Sequence, residues 1–192
     1  MMGESMPLSW GEMNELMRRA SAGEAEAFGA LARQVQDELF RFALAQGLGT
    51  DDAAEAVQET LLRAYRGRRR WRRGGSAWAW LAGIAMNVAR EARRKRRREV
   101  GSLDADVLAA AAAAPDATAD RNEQRRDRLR RLAEAIEALG PRQREAVVCR
   151  YLLRMSVRQT AAAMGCATGT VKATVSAALA KLRRAFEPGD NE

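Results

Sequence analysis

Fourteen arginine and lysine side chains and a single acid, Glu91, lie between residues 63 and 98, interleaved with Tyr65, Trp71, Trp78, Trp80 and Asn87. Fourteen minus one leaves +13 on this stretch, whereas the whole chain carries +8, so everything else sums to −5. The basicity is therefore local. Arginine neutralises phosphate, and flat rings stack on bases that have left a duplex. The chemistry indicated is non-covalent capture of nucleic acid, and of an unstacked strand in particular. Groups for covalent chemistry are scarce. Histidine, the commonest general base and transition-metal ligand, is absent. Cys149 and Cys166 form no CxxC pair and are too few for a zinc site, so they are expected to be ordinary reduced cysteines. No stretch of the sequence approaches about 18 consecutive apolar residues, and no secretory leader is evident, so a cytoplasmic protein needing no membrane, metal or cofactor is expected.

A second constellation lies near the carboxy terminus. Ser156 to Lys172 reads Ser-Val-Arg-Gln-Thr-Ala-Ala-Ala-Met-Gly-Cys-Ala-Thr-Gly-Thr-Val-Lys. Ser156 and Gln159 match a capping box. The alanines let two helices cross closely, and Gly165 suits a turn conformation costly for other residues. Thr168, Gly169 and Thr170 then place small groups and free amides at the start of a following helix, where a DNA phosphate can sit. A short helix, a glycine turn and a second helix form the helix-turn-helix pattern.

The elements that must hold these groups are helical. Alanine, leucine and arginine dominate, and β-branched and aromatic residues are few. The spacing predicts helices over Trp10–Arg19, with Met13, Leu16 and Met17 on one face, and over Glu24–Gln46, with Phe28, Leu31, Val35, Leu39 and Phe42 inward. Ser21–Glu24 reads as the turn between them. Thr50 caps a third helix running to about Arg66, its buried stripe being Ala54, Val57, Leu61 and either Ala64 or Tyr65. Asp51 and Asp52 suit its first turn. Gly67–Gly75 is a basic loop. Ser76 caps a long helix to about Arg98 that buries Trp80, Ile84 and Val88, with Leu81 beside them. Trp71 lies where no core stripe reaches, and either stacks on a base or packs its own loop. Arg93–Arg98 is either a solvated helix end or a phosphate grip. Residues 99–120, with six consecutive alanines at 109–114, show no apolar stripe and read as a linker. Helices follow over 121–139 (seam Leu129, Leu132, Ile136, Leu139), Pro141–Leu153 (burying Ala146, Val147, Val148, Tyr151 and Leu152), Ser156–Met164 and Gly169–Phe186, the last capped by Thr168. The fold class expected is all-α: two small helical domains joined by a flexible linker, the second a helix-turn-helix. The boundaries are 1–23 for a tail and short helix, 24–98, a 99–120 linker, 121–186, and a 187–192 tail.

Asp51-Asp-Ala-Ala-Glu-Ala-Val-Gln-Glu-Thr-Leu-Leu-Arg-Ala-Tyr65 resembles region 2.2 of the extracytoplasmic-function (ECF) sigma factors. Trp80-Leu-Ala-Gly-Ile-Ala-Met-Asn-Val-Ala-Arg90, followed by Arg93-Arg94, resembles their regions 2.3–2.4. Leu139-Gly-Pro-Arg-Gln-Arg-Glu-Ala-Val-Val-Cys-Arg-Tyr151 and Gly169-Thr-Val-Lys172 resemble regions 4.1 and 4.2. The resemblance implies a non-enzymatic protein that binds core RNA polymerase through the β′ clamp helices and the β flap, and promoter DNA. Asp51, Asp52, Glu55, Gln58, Glu59 and Leu62 would dock on polymerase. Arg66, Arg68, Trp71, Arg72 and Ser76, in or beside the loop, would hold a base flipped from the −10 element, with Asn87, Arg90 and Arg94 along the strand path. Arg158, Thr168, Gly169, Thr170, Lys172, Thr174 and Ser176 would meet the −35 element. The linker would thread polymerase, with Asp104, Asp106 and Asp116 repelling or mimicking RNA. An anti-sigma factor is a further partner left open.

Two departures stand out. The family's recognition helix usually adds arginines after Val-Lys, where this chain has Ala173, Thr174, Ser176, Ala177 and Leu179. Bidentate arginine to guanine, worth about 1–3 kcal/mol, is missing there. Glu91 stands where the family often has Asp. Two rivals remain on sequence grounds: a stand-alone helix-turn-helix regulator reading duplex DNA without polymerase, and a basic nucleic-acid-processing enzyme, which the lack of any catalytic motif disfavours.

Overall fold

The computed structural model describes residues 9–72, 74–99 and 130–186. Among them all regular structure is helical. The expected linker, apart from its first residue, and both terminal tails lie outside the described residues.

Helix α1 spans Trp10–Ala22, and a reciprocal Ser9–Glu12 capping box starts it. It runs through the segment expected to turn and stops only at Gly23, whose φ of 116° is open to glycine. Met13, Met17 and Ala20 are buried, so this short helix packs into the core. Helix α2, Ala25–Ala45, buries Phe28, Leu31, Val35, Leu39 and Phe42, the expected stripe. Helix α3 spans Thr50–Gly67. Gly49 takes the capping position, so Thr50 is its first residue and not its cap. Its inward stripe is Ala53, Ala56, Val57, Thr60 and Ala64, while Ala54 is exposed and Leu61 half-buried. Small residues let α3 lie close to α4, and the Thr60 hydroxyl donates to the Ala56 carbonyl at 2.7 Å, which satisfies it inside the core.

A 3-10 turn, Arg68–Arg70, leads to the loop before α4, Ala77–Glu99. Two side chains satisfy the amides at the start of α4: Ser76 Oγ accepts from the Ala79 amide at 3.2 Å, and Asn14 Oδ1, from α1, accepts from the Ala77 amide at 2.8 Å. The buried residues of α4 include Trp78, Leu81, Ala82, Ala85, Met86, Val88 and Ala89. Trp80 and Ile84, expected at the centre of the stripe, are only half-buried. A single-stripe reading fails here because α4 packs on two sides, against α3 and against a helix of the second half.

In the second half, α5 covers 130–137. Gly140 and Pro141 restart the chain as α6, Pro141–Val147, which passes into a π-helical segment, Val148–Leu152. Helix α7, Val157–Met164, carries the expected Ser156–Gln159 capping box and ends at Gly165 with φ 63°. Helix α8 is Thr168–Phe186, again with the threonine inside the helix. The π segment changes which residues point inward. Tyr151 and Leu152, expected to be buried, are 57% and 41% exposed, and Leu153 and Met155 are buried instead. One extra residue per turn rotates the following side chains off the α-helical stripe. Leu132 is likewise exposed, with Ala133 buried in its place, while Leu139 of the expected seam is buried. Both expected helical halves are present, but they are not apart. One continuous apolar cluster runs from Met17, Leu39 and Leu81 to Ala146, Cys149, Met155 and Val171.

Candidate nucleic-acid and polymerase interfaces

The acidic face of α3 is open. Asp51, Glu55 and Gln58 are exposed, Asp52 and Glu59 half-buried, and Leu62 is 42% exposed. These six residues line one groove of 1380 Å³, whose far wall is α4 with Val88, Glu91, Ala92, Lys95 and Arg96. Phe28 and Tyr65, packed edge to face at 5.2 Å, also line it. Arg63 fixes the two walls together. It donates to Glu59 at 2.6 Å and, through Nη1 and Nη2, to both Glu91 oxygens at 3.0 and 2.7 Å. Glu91's pKa is accordingly lowered, chiefly by the Arg63 hydrogen bond. The longer acid in the family's aspartate position thus reaches across to α3. A groove with an acidic rim and an exposed leucine suits a helical partner carrying basic and apolar residues.

The loop before α4 is more ordered than a basic tether. Arg68 stacks 4.0 Å over the Tyr65 ring and donates to the carbonyls of Ala20 and Tyr65 at 3.2 and 2.7 Å. Trp71 is buried, 7% exposed, which corrects the picture of a ring standing free for a base. It belongs to the main apolar core cluster, so the core does reach this loop. Among the described residues its Nε1 has no acceptor. Arg66 and Arg72 are exposed.

Beyond the loop, one face of α4 collects the expected strand-path residues. Ser76, which precedes α4 as its cap, Gly83 and Arg90 recur every seven residues, and Asn87 and Arg94 fall on the same face, all within about 60° of one another. Asn87 and Arg94 are exposed, and Asn87 Oδ1 accepts from Arg90 Nη1 at 3.1 Å. Ser76, Gly83 and Arg90 are covered by the second half. Ser76 Oγ accepts from Gln159 Nε2 at 3.2 Å. A β-carbon added at Gly83 would stand 3.1 Å from the Ala163 carbonyl oxygen. Arg90 donates to both oxygens of Glu145 at 2.6 and 2.7 Å. Glu145's side chain is only 3% exposed, and its carboxylate raises the Arg90 pKa further above arginine's ordinary value. Elsewhere along the contact, Trp78 Nε1 donates to the Leu153 carbonyl at 3.4 Å, and buried Arg144 donates to the Gln46 carbonyl at 3.1 Å.

The recognition helix is α8. Thr168, Gly169, Thr170, Lys172 and Ser176 are exposed on it and Thr174 is half-buried, while Val171 and Ala178 face inward. Arg158 is exposed on α7. The expected −35 set is thus outward-facing, and it is lightly charged.

Sequence reasoning missed Asn14, Gly83 and Glu145, and it missed the contacts that Trp78 and Gln159 make between the two halves. Signals existed for two of them. A glycine in mid-helix costs roughly 0.5–1 kcal/mol relative to alanine and implies a close neighbour. An acid inside the apolar run from Ala146 to Cys149 needs a partner.

Among the described residues, all regular structure is helical, and a helix-turn-helix beside a basic helix places the protein in the DNA-binding class. Comparison gives the family. Residues 31–99 match the model of Sigma-70 region 2, and residues 129–182 that of Sigma-70, region 4. The chain is 37% identical over 174 residues to the RNA polymerase sigma-E factor of Streptomyces antibioticus, covering 88% of this chain and 89% of that one. It is 32% identical over 182 residues to the ECF RNA polymerase sigma factor BldN of Streptomyces coelicolor, covering 90% and 65%. The sigma factor RpoE of Bartonella quintana, solved with the anti-sigma factor NepR, superposes with a TM-score of 0.68 at 28% identity, over 85% of this chain and 98% of that one. The chain belongs to the sigma-70 family, in its ECF branch: it is a sigma factor, a DNA-binding protein of transcription initiation. No described helix is long and apolar enough to cross a membrane.

Proposed function

We propose that this sigma factor binds core RNA polymerase through the α3–α4 groove, melts the −10 element with the loop and basic helix, and meets the −35 element with α8. The observation that carries the reading is the groove. Asp51, Asp52, Glu55, Gln58, Glu59 and Leu62 open onto one concave surface whose far wall is helix α4, and the same helix carries Asn87 and Arg94 on a different face, outside the groove lining. A partner seated there is held next to the segment that engages DNA. The partner proposed for the groove is the β′ clamp helices, with the β flap on the second half. Arg66, Arg68, Arg72 and Ser76 surround the seat for a flipped base. Holding an extruded base offsets unstacking, which costs about a few kcal/mol. Trp71 would join them only by leaving its buried position. The likeness to a sigma factor solved with NepR supports an anti-sigma factor as a further partner.

Mixing purified chain with core polymerase tests this. Co-elution and promoter-dependent run-off transcription are expected, and both should disappear when Asp51 and Glu55 are replaced together by Lys. Normal polymerase affinity in that double variant would refute the groove as the docking site. Binding to a palindromic duplex with no effect of polymerase would favour a stand-alone regulator instead.

A further inference from the structure

We propose that Asn14 and the Ala20 carbonyl, both on α1, are positioning groups for the loop between α3 and α4: α1 braces both ends of that loop and so sets the shape of the seat for a flipped −10 base. The inference rests on the −10 role proposed for the loop and names the groups that shape it. Helix α1 precedes residues 31–99, the stretch that matches Sigma-70 region 2.

The far end of the loop is tied through the Ala77 amide, which opens α4. It is the first amide of the helix, and a cap side chain reaches only the second or third. Ser76 accordingly takes the Ala79 amide, at 3.2 Å. Ala77 is fully buried, so its N–H needs an acceptor from elsewhere in the fold. Asn14 Oδ1 supplies it at 2.8 Å, from 63 positions away in sequence. Trp10, one turn before Asn14, packs on Trp78 with ring centroids 6.5 Å apart and holds the same two helices together.

The near end is tied through Arg68. Its Nε donates to the Ala20 carbonyl at 3.2 Å. Ala20 lies in the last turn of α1, where carbonyls are left over and the helix dipole favours a cation. The same guanidinium donates to the Tyr65 carbonyl at 2.7 Å and lies 4.0 Å over the Tyr65 ring. These partners take up Arg68, so it shapes the seat and does not grip a base. Asn14 and Ala20 stand about 9 Å apart along the axis of one helix, and that fixed span sets the distance between Arg68 and Ala77. Between the two ties, Trp71 is sunk in the core and the Gly75 amide closes a turn on the Arg72 carbonyl at 3.0 Å. Arg69, Arg70 and Arg72 stay exposed on the loop so held. A seat built before the base arrives lowers the ordering cost of capturing it.

The test uses holoenzyme assembled from the full chain and core polymerase, on a promoter selected from a randomised duplex pool by run-off transcription. Opening rates are measured with each base in turn at every −10 position, and discrimination is the ratio of the best base to the others. Asn14→Ala keeps a strong helix former in α1. It should lower discrimination at one −10 position about fivefold, the factor of one lost helix-cap hydrogen bond, with core-polymerase affinity unchanged. Asn14→Asp, which keeps an acceptor oxygen, should restore it. General weakening of the fold slows opening for all bases alike. That outcome, unaltered discrimination, or no rescue by Asn14→Asp overturns the brace. Should Asn14→Ala fail to fold, Arg68→Lys takes its place: lysine keeps a phosphate contact but cannot reach both carbonyls, so discrimination should fall there too, and a wild-type ratio refutes the brace. A wild-type holoenzyme that selects no promoter, or opens one without preferring any −10 base, sinks the −10 role itself. Wild-type preference that the variants leave unaltered sinks only the brace.

Discussion

The two helices assigned to DNA are opposites. Helix α4 carries seven basic residues between Arg90 and Arg98, is packed on two sides, and has part of its DNA-facing side covered. Helix α8 is open to solvent, but from Thr168 to Ser176 its only cation is Lys172. The better-armed surface is restrained and the poorly armed one is free. On the function proposed, a chain arranged so would gain little from duplex contacts by α8 alone, and its discrimination would rest on α4. Base-edge contacts that discriminate need donors such as arginine, whereas threonine and serine position more than they specify.

The largest expected effect breaks or upholds that contrast directly. Asn87→Ala with Arg94→Ala should reduce open-complex formation about a hundredfold, two lost contacts of roughly 1–3 kcal/mol each. Arg158→Ala with Lys172→Ala should reduce it only about tenfold, since both are phosphate-type contacts that lower affinity without sequence preference. Permanganate reactivity at the −10 thymines, with polymerase affinity measured alongside, is the check. Equal losses would mean that α8 contributes as much as α4.

The next effect separates packing from capture within the loop. Trp71 is buried, so Trp71→Ala should cost about 3 kcal/mol of stability, the usual penalty for emptying an aromatic site. That loss would lower every activity together, so Trp71→Ala cannot isolate a role in melting. Trp71→Phe removes the unpartnered N–H and keeps most of the ring, and should change stability by no more than about 1 kcal/mol. Promoter opening by Trp71→Phe at near wild-type thermal stability then reports capture alone. A large fall in its melting temperature would show that the indole N–H is satisfied after all.

These contrasts also mark where the sequence was legible. The stripe Phe28, Leu31, Val35, Leu39, Phe42 was readable because α2 has one buried face and the helical period is undisturbed. The α3 stripe was misplaced by one residue: alanines at 53, 54 and 56 weight a pattern alike, so only Val57 and Ala64 were secure. The α4 stripe was misread because tryptophans at 78 and 80 compete for the interior, and contact with the second half decides for Trp78 through its bond to Leu153. Tyr151 and Leu152 were misplaced by a π segment, which leaves no compositional trace. The site residues were readable as types at spacings, in Asp51–Glu59 and Ser156–Lys172. The pair of Arg90 with Glu145 was not, since pairing between residues 55 positions apart has no periodic signature.

A smaller effect contrasts the chemistry that holds each half at the extremes of pH. Cys149, in the second half, is fully buried, and burial, helped by the nearby Glu145 charge, pushes its thiol up to about 12. A raised folded value means that the neutral thiol is the form the fold prefers. Its contribution is intact below the unfolded value near 8.5 and is lost as pH rises toward 12. Cys149→Ala, which removes the titration, should flatten the fall in stability between about pH 9 and 11. Under native conditions at pH 8, iodoacetamide should label half-exposed Cys166 and spare Cys149, whose thiolate fraction there is about one part in ten thousand. Rapid labelling of both would show that the second half opens its own core.

The smallest effect lies at the acid end, in the first half. Arg63 lowers the Glu91 pKa, so the stability due to this pair is present above the unfolded carboxylate value, near 4.3, and is lost as pH falls through the lower folded one. The side chains are 38% and 46% exposed, so solvent screens the interaction and the pair contributes at most about 1 kcal/mol. Glu91→Gln should therefore change the melting temperature slightly at pH 7, and the difference from the wild type should shrink as pH falls through the lowered folded value. Glu91→Asp, the family's usual residue, is the sharper variant. Its shorter side chain should loosen the link between α3 and α4 without removing the charge, so polymerase affinity should fall modestly while single-strand binding holds. Because Arg63 and Glu91 both line the groove and neither lies on the covered face, the reverse pattern would place the strand path on the wrong side of α4.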